Sequence, residues 1–358
     1  MCVVHGGALP RLRAYHDGKE LHTMKTSKIW MGLCLVVVLA AALGLSGCPQ
    51  KKGAKTEKGR SAAKKGEAIT LGLGLDKGGS YVYEMTGVIT VTQSMGDKKQ
   101  TMPAMTMKMT QHLNVADDDS KDFNVSARLD GFAMEIPNLT DEIKQKIDAI
   151  YAAMNGIEFS FAVSPKGEIK SFKGMGSFMD HMAESMGNDP MSAQILKSME
   201  QYMNDEQLIK QMGLLYNFGA NARALHVGDT WDVDFPMPMV GTDEPLKLKI
   251  KYKLDEVKPV DGAKTAILSF DSKQDYGKDG VPFMQEMMKE MAPGMDLAIY
   301  LHEFNMKGKV TYDLDHNKLL QVAPDSTIRM RVVANLPEQG KQEINQTVVT
   351  EMSMDLAK

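Results

Sequence analysis

The stretch Leu246-Lys-Leu-Lys-Ile-Lys-Tyr-Lys-Leu254 alternates apolar side chains with lysines, without a break. Because successive side chains of a β-strand point to opposite faces, this pattern predicts a strand with one buried and one solvated face. Strands of this kind are typical of antiparallel sheets that face water on one side. The stretch therefore predicts an antiparallel sheet as the core of the fold.

The same alternation recurs on both sides of this stretch, over most of the chain. Turn residues such as Asp117-Asp118-Asp119 and Asp261-Gly262 separate the runs, as expected between antiparallel neighbours. The recurrences are Tyr81/Tyr83/Met85 with Ile89/Val91, Met105/Met107/Met109, Met306/Gly308/Val310/Tyr312/Leu314, Ile328/Met330/Val332 and Ile344/Gln346/Val348/Thr350/Met352.

Curvature of this sheet is predicted at Gly131. Apolar residues alternate from Phe123 to Leu129, and after the glycine the alternation resumes in the opposite phase at Phe132 and Met134. One extra residue in a strand has this effect, so a β-bulge that bends the sheet is expected there. The Leu71-Gly-Leu-Gly-Leu75 run reads as an edge strand followed by a turn.

Three stretches have a helical period instead: residues 141–154, a longer region 175–218, and residues 281–291. Helices are thus inserted among the strands. The predicted fold class is α+β: a large curved antiparallel sheet, or an unclosed barrel, with the helices on one face.

The N-terminal part has the layout of an export signal. Residues 24–28 are short and basic, and residues 29–45 form an apolar run. The run ends in Leu45-Ser46-Gly47-Cys48, which resembles the lipobox of bacterial lipoproteins. That resemblance implies cleavage between Gly47 and Cys48 and a covalent lipid on Cys48. Residues 1–23 are interpreted as a false upstream start, and residues 24–47 as the signal peptide.

The remaining chain divides into a tether and one domain. Residues 48–67 are expected to be a lipidated cysteine followed by a flexible tether with a net charge of +5, and residues 68–358 a single α+β domain. That domain has 30 basic and 42 acidic side chains, a net charge of −12. An acidic domain lacks the electrostatic footprint of a phosphate binder, so nucleic acid is not an expected partner.

The predicted location is the bacterial cell envelope, with the lipid as the link to a membrane. By resemblance to the sorting rule of enteric bacteria, Pro49 in place of Asp after the cysteine favours the outer membrane, facing the periplasm. Beyond the covalent lipid, no cofactor is expected.

Methionine is unusually frequent, with 30 residues, and many of the methionines follow a helical period. They could form an ordinary core, or flexible thioethers could line a cavity that accepts varied apolar ligands. The cavity candidates are Met175, Met179, Met182, Met186, Met284, Met287, Met288 and Met291.

A third interpretation of the methionines is Cu(I) binding, because thioether and imidazole groups are ligands for this ion. The weak candidates are Met105, Met107, Met109 and His112. Alternate residues of one strand point the same way but lie about 7 Å apart, too far to share one ion without a bend.

No catalytic motif is complete, so an enzyme is not expected. His302-Glu303 begins like the H-E-x-x-H zinc motif, but Met306 stands where the second histidine is required. Asp313-x-Asp315-x-Asn317 begins like a calcium loop, but Lys318 replaces its glycine.

Three strings resemble uncharacterised Met- and Thr-rich bacterial lipoprotein families: Met102-Pro-Ala-Met-Thr-Met-Lys-Met109, Val163-Ser-Pro-Lys-Gly-Glu168 and Val227-Gly-Asp-Thr-Trp231. Those families imply a strand-rich fold and no assigned activity. In architecture and export route the chain is also similar to periplasmic lipid and lipoprotein carriers of the LolA-like kind.

The leading hypothesis is therefore a membrane-anchored envelope lipoprotein that binds an apolar or lipidic ligand, or an envelope protein. A structural or protein-interaction lipoprotein without a ligand is the alternative, and a periplasmic Cu(I)-binding protein is the third.

Overall fold

The structure is a computed structural model, and it describes residues 67–137, 139, 141–186, 223–237, 246–283, 296–336 and 340–357. The expected signal peptide, Cys48 and most of the tether lie outside these residues. So do Met284, Met287, Met288 and Met291.

Strands dominate the described residues, with two helices between them. In chain order the elements are β1 Ser80–Met95, β2 Lys98–Thr101, β3 Met105–Val115, β4 Phe123–Glu135, α1 Asp141–Met154, β5 Ile157–Val163, β6 Ile169–Lys173, α2 Met175–Met186, β7 Thr230–Met237, β8 Leu246–Val260, β9 Ala263–Asp275, β10 Val281–Pro282, β11 Asp296–Asp313, β12 Lys318–Leu336 and β13 Gly340–Leu356.

All described strands belong to one antiparallel sheet, in the order β6-β5-β4-β3-β1-β13-β12-β11-β9-β8-β7. Two short strands lie off this path, β2 against β1 and β10 against β11. The sheet consists of two meanders, β1 to β6 and β7 to β13, which meet where β1 pairs with β13. It does not close into a barrel, and the α+β class predicted from the sequence is confirmed.

The alternation predicted from the sequence separates the two faces of the sheet. On β1, Tyr81, Tyr83 and Ile89 are buried, while the intervening Glu84 and Val88 are exposed. We call the face that carries the buried side chains of β1 the inner face, and the opposite one the outer face. The same alternation continues in β8, where Leu248 to Leu254 are buried at every second position.

The bulge predicted at Gly131 is confirmed. The register between β3 and β4 shifts between Lys108 and Thr110, opposite the glycine. Gly131 has a φ of +62°, a left-handed conformation that residues with a side chain rarely adopt. The extra residue moves Phe132 and Met134 onto the buried face and bends the strand.

The helix predicted over residues 141–154 matches α1, and the helix predicted from Met175 begins there as α2. Of the latter prediction, residues 187–218 lie outside the described residues. The two helices pack against each other, α1 also contacts β4, and α2 contacts β5. Phe132 of β4 and Tyr151 of α1 meet edge to face, with ring centroids 5.2 Å apart.

Two expectations about local structure need correction. The helix expected over residues 281–291 does not begin at Val281, because Gly280 at a φ of +69° returns the chain beside β11, where Val281 and Pro282 form β10. Residues 284–291 of that helix lie outside the described residues. Leu71-Gly-Leu-Gly-Leu75 is not an edge strand. Ile69 makes one isolated bridge to Leu225, and the leucines that follow are buried without strand pairing.

Gly308 lies at a position where the packing of the sheet leaves no room for a side chain. A Cβ atom there would lie 2.4 Å from the Ala323 carbonyl oxygen and 2.5 Å from the Phe270 ring. We expect Gly308→Ala to lower the free energy of unfolding by about 1–3 kcal/mol, because the ring and strand must shift. Urea unfolding measures this change.

The matched control is Gly176→Ala in α2, where a Cβ atom meets nothing within 4 Å. This substitution is expected to leave stability unchanged or to raise it by up to about 1 kcal/mol, because alanine favours helix. Equal effects of the two substitutions would contradict the close packing at Gly308.

Candidate functional site on the inner face of the sheet

The inner face of the long described strands carries apolar and uncharged polar side chains. On β11 and β12 the buried residues include Ile299, Leu301, Phe304 and Met330. Eight methionines are buried among the described residues: Met85, Met105, Met107, Met134, Met175, Met182, Met330 and Met354. This surface is the best candidate for a binding site, because it is broad and apolar and many of its side chains are flexible.

An aromatic row crosses one end of this face. Trp231 on β7 stacks on Tyr252 of β8 with centroids 5.6 Å apart, and Tyr252 meets Phe270 of β9 at 5.7 Å. The Arg223 guanidinium lies 5.1 Å from the Trp231 ring centroid. Trp231 is 6% exposed at the second position of its strand, as expected for a buried aromatic residue at a strand start.

Tyrosines occupy the end of the inner face where β1 begins. Tyr83 donates a hydrogen bond to the Leu319 carbonyl oxygen at 3.2 Å, and the Asp76 N–H donates to the Tyr81 hydroxyl oxygen at 2.7 Å. Tyr312 bonds Asn317 through its hydroxyl group. Burial raises the pKa of Tyr83 and of Tyr312, so both stay protonated donors at neutral pH.

The methionine stripe expected on residues 175–186 is partly visible. Met175 and Met182 are buried together with Phe178, whereas Met179 is partly exposed. Spacings of three and four residues place the buried three on one side of α2. The Met186 side chain, like the four candidates from Met284 to Met291, lies outside the described part.

The structure does not bring the four copper candidates together. Met105 and Met107 lie on the inner face, and Met109 is partly exposed beside the Gly131 bulge. His112 alternates onto the outer face, where its Nε2 lies 3.2 Å from Asp130. Among the residues that the structure describes, no three His, Cys, Asp or Glu side chains group as a metal site would require.

His302 and Glu303 lie on β11, at a register shift between Leu301 and Glu303, and not on a helix. The zinc motif needs helical spacing to place its two histidines on one side, so the strand geometry removes that interpretation. Glu303 pairs with Arg329 at 2.8 Å, and His302 Nδ1 bonds the Gly277 carbonyl oxygen at 2.9 Å.

In the turn that begins at Asp313, the Asp313 carboxylate forms hydrogen bonds with residues of the turn itself. The Asp313 oxygens accept hydrogen bonds from the N–H groups of Asp315 and His316 and pair with the His316 ring at 2.7 Å. Burial alone would raise the pKa of Asp313, but these hydrogen bonds outweigh it and leave the pKa below its ordinary value. With its oxygens engaged, the turn is a polar β-hairpin turn and not an open calcium loop.

Sequence reasoning missed a set of buried polar atoms that have no hydrogen-bond partner among the described residues. They include Ser272 Oγ, Tyr276 Oη, His302 Nε2 and Gln346 Oε1. The sequence pattern does not show that these polar atoms are buried. Their burial becomes visible only in the folded sheet.

The outer face of β3 to β6 has an open groove of about 430 Å³, lined in part by Asn114, Asn124, Ser126 and Lys173. Asn124 donates to Asp118 at 2.7 Å, and Ser126 donates to the Asn114 carbonyl oxygen.

Within the described residues, no helix is both long enough and apolar enough to span a bilayer.

These features define the class: an α+β protein with one open antiparallel sheet and an uncharged, methionine-containing inner face. The chain belongs to DUF6263, a family of unknown function, whose model matches residues 119–320. No curated protein matches the sequence.

Two solved structures show a distant likeness. One is lipovitellin, solved to describe lipid–protein interactions, with a TM-score of 0.35 and 8% identity over 79% of this chain. This chain covers 25% of that lipovitellin chain. The other is DynF from the dynemicin pathway of Micromonospora chersina, with a TM-score of 0.19 and 8% identity over 86% of this chain and 94% of that chain. Both TM-scores are too low to support a conclusion about function.

The lowered pKa of Asp313 predicts a pH-dependent contribution to stability. The carboxylate stabilises the fold above its unfolded pKa of about 3.9, and this contribution is lost as the pH falls further towards the folded value. We expect Asp313→Asn to lower the free energy of unfolding by about 1–3 kcal/mol at pH 7. The difference should shrink below about pH 4.

Chemical unfolding from pH 7 to pH 2 measures this effect. Asp271→Asn, on the exposed side of β9, is the control and should change stability little at any pH. A difference for Asp313→Asn that stays constant to pH 2 would show that its carboxylate charge is not involved.

Proposed function

We propose that this protein is a lipid-anchored lipoprotein of the bacterial cell envelope that holds an apolar or lipidic ligand against the inner face of its sheet. The anchor is the lipid on Cys48, and the membrane is the outer one, with the domain facing the periplasm. The proposal contains no catalytic step.

The observation that carries the ligand part is the chemistry of the inner face. Its long strands present uncharged side chains, and some buried polar atoms on that side lack a partner among the described residues. In a core that is complete without a ligand, nearly all buried polar groups have hydrogen-bond partners, whereas a binding site has some polar groups that pair with the ligand instead. The methionines support the same interpretation, because thioether chains adapt to ligands of varied shape.

The anchor part rests on the residues Leu45-Ser46-Gly47-Cys48, and the chain supplies its own control. Cys34 lies in the apolar run before the lipobox. We expect Cys48→Ser to abolish labelling by radioactive palmitate in bacteria, whereas Cys34→Ser should leave it intact. Labelling that survives Cys48→Ser, or is lost equally in both variants, would refute the assigned lipidation site.

The ligand part can be tested by the fluorescence of Trp231. The sequence has one other tryptophan, Trp30, which can be replaced so that Trp231 alone is observed. In a full-length Trp30→Phe background, a brominated fatty acid should quench Trp231 fluorescence, since bromine quenches only at close range. The matched control is the same fatty acid without bromine, which should bind without quenching.

Absence of quenching, together with a domain that purifies without bound lipid, would favour the structural or protein-interaction alternative. A stoichiometric Cu(I) adduct in native mass spectrometry, lost in Met105→Leu/Met107→Leu, would favour the copper alternative.

A further inference from the structure

The inner face is closed in the structure, so an apolar ligand needs part of the chain to move away. Leu268, Ile299 and Leu301 on neighbouring strands are each 1% exposed or less. The central strands are hydrogen-bonded to a neighbour on both sides, so the sheet itself does not open locally. Local opening is expected where a segment is attached by few contacts outside regular strands and helices.

Residues 67–79 cross one end of the sheet without joining it as a strand, and we call them the strap. At its start, Glu67 forms an ion pair with Lys264 of β9 at 2.8 Å. Near its end, Lys77 forms an ion pair with Asp118, in the loop between β3 and β4, at 2.7 Å. The strap therefore contacts both meanders of the sheet at the same end.

The middle of the strap packs closely against the turn between β11 and β12. A Cβ atom at Gly72 would lie 1.9 Å from the Asn317 Oδ1 atom, and one at Gly74 would lie 3.1 Å from the Leu319 backbone nitrogen. The glycines thus leave room for this turn. The three leucines of Leu71–Leu75 are no more than 7% exposed, and they fill the adjoining end of the inner face.

One hydroxyl group holds the middle of the strap. The N–H groups of Gly72 and Gly74 donate to the Tyr312 hydroxyl oxygen, and the hydroxyl group donates to Asn317. The ion pairs at the two ends of the strap are exposed to solvent, and such pairs contribute little to stability. The contacts that hold the strap can therefore be lost while every strand pairing of the sheet remains.

The buried leucines relate the strap to an apolar ligand. Release of the strap by itself exposes three leucine side chains to water, so the strap stays bound when no ligand is present. An acyl chain that enters the same space becomes buried, and this burial compensates for the exposure of the leucines. Exchange of the strap for a ligand is thus far less costly than release alone.

We propose that the strap is displaced by the ligand: an acyl chain takes the place of the three leucines beside Tyr312 and Leu319. This inference rests on the proposed function and names the part of the chain that opens the site. The strap directly follows the tether. Its release adds thirteen residues, or about 45 Å of extended chain at most, between the lipid and the domain.

A disulfide bond that fixes the strap tests whether it must move. A Cβ atom at residue 72 would lie 2.8 Å from the Asn317 Cγ atom, close to where a cysteine sulfur would lie. In a disulfide the Cβ of one cysteine lies about 3 Å from the sulfur of the other, so Gly72→Cys/Asn317→Cys suits this geometry. In the full-length Trp30→Phe chain, the brominated fatty acid should quench Trp231 when this pair is reduced. Oxidation should weaken binding at least tenfold.

The control for the disulfide is Asn317→Cys alone in the same background. Treated with the same oxidant, it should bind equally well in both redox states. A loss of binding in this control would assign the effect to the native cysteines.

Hydrogen exchange of the chain with an unaltered strap is the second measurement. The fatty acid without bromine should speed exchange of the amides of residues 71–75 at least tenfold, because the strap leaves its hydrogen bonds. Exchange at Val348 on β13 should stay unchanged or become slower. A ligand that binds without moving the strap would instead slow exchange in both places.

The hydroxyl group of Tyr312 gives a third test. Tyr312→Phe removes the acceptor of two strap N–H groups, so displacement becomes easier and the fatty acid should bind at least threefold more tightly. Tyr300→Phe is the matched control. Its ring lies on the same strand against Arg331, away from the strap, and its removal of a hydroxyl group should leave the affinity unchanged.

The outcomes separate this inference from the proposed function. Equal quenching of the reduced and oxidised cysteine pair would overturn the displacement while leaving an apolar ligand in place. Slower exchange of residues 71–75 with the fatty acid would overturn it as well. No quenching of Trp231 in the chain with an unaltered strap would remove the proposed function itself.

Discussion

The pairing of β1 with β13 is the constraint on which the rest of the structure depends. It runs from Tyr83 opposite Leu356 to Ser94 opposite Asn345, and it joins the first meander to the last strand of the second. All other pairings of the eleven-strand path follow chain order within a meander, and within that path this pairing joins the two meanders. Because the register aligns Ile89 and Val91 with Thr350 and Val348, the two meanders share one inner face. A shift of one residue would turn the inner-face apolar side chains of β13, such as Val348 and Met354, outward.

The strict period of two also explains why the irregular positions matter. A sheet with one buried face tolerates an extra residue only where local twist and bending absorb it. Gly131 absorbs one such residue through its left-handed backbone, and the result is curvature over β3 and β4. The register shift at His302 absorbs another in β11, where Gly277 and Gly280 bring the preceding loop against the same strand. The first irregularity shapes the apolar face, and the second places the His302 ring against the loop that carries Gly277 and Gly280.

Much of the fold could be predicted from the sequence because its signals are local. The lysine alternation around Tyr252, the phase change at Gly131 and the helix from Asp141 each depend on neighbours within a few residues. The failures have non-local causes. Leu71-Gly-Leu-Gly-Leu75 alternates like a strand but is buried by packing near Tyr312 and Leu319, which no local pattern reveals. The unpartnered Gln346 was missed for the same reason, because a polar residue in an alternating run shows its burial only when strands far apart in the chain have paired.

The two ends of the inner face differ in how their polar groups are satisfied, and this difference gives the proposed site a direction. At one end, Tyr81, Tyr83 and Tyr312 all have hydrogen-bond partners, and the buried Leu71 to Leu75 run packs there. At the other end, Tyr276 and Gln346 have buried oxygens without partners among the described residues. Between the ends the buried side chains are mostly apolar, with Ser272 and Thr350 as polar exceptions. Burial of acyl chains is non-directional and adds affinity in either orientation, whereas the polar end decides which way round the ligand lies.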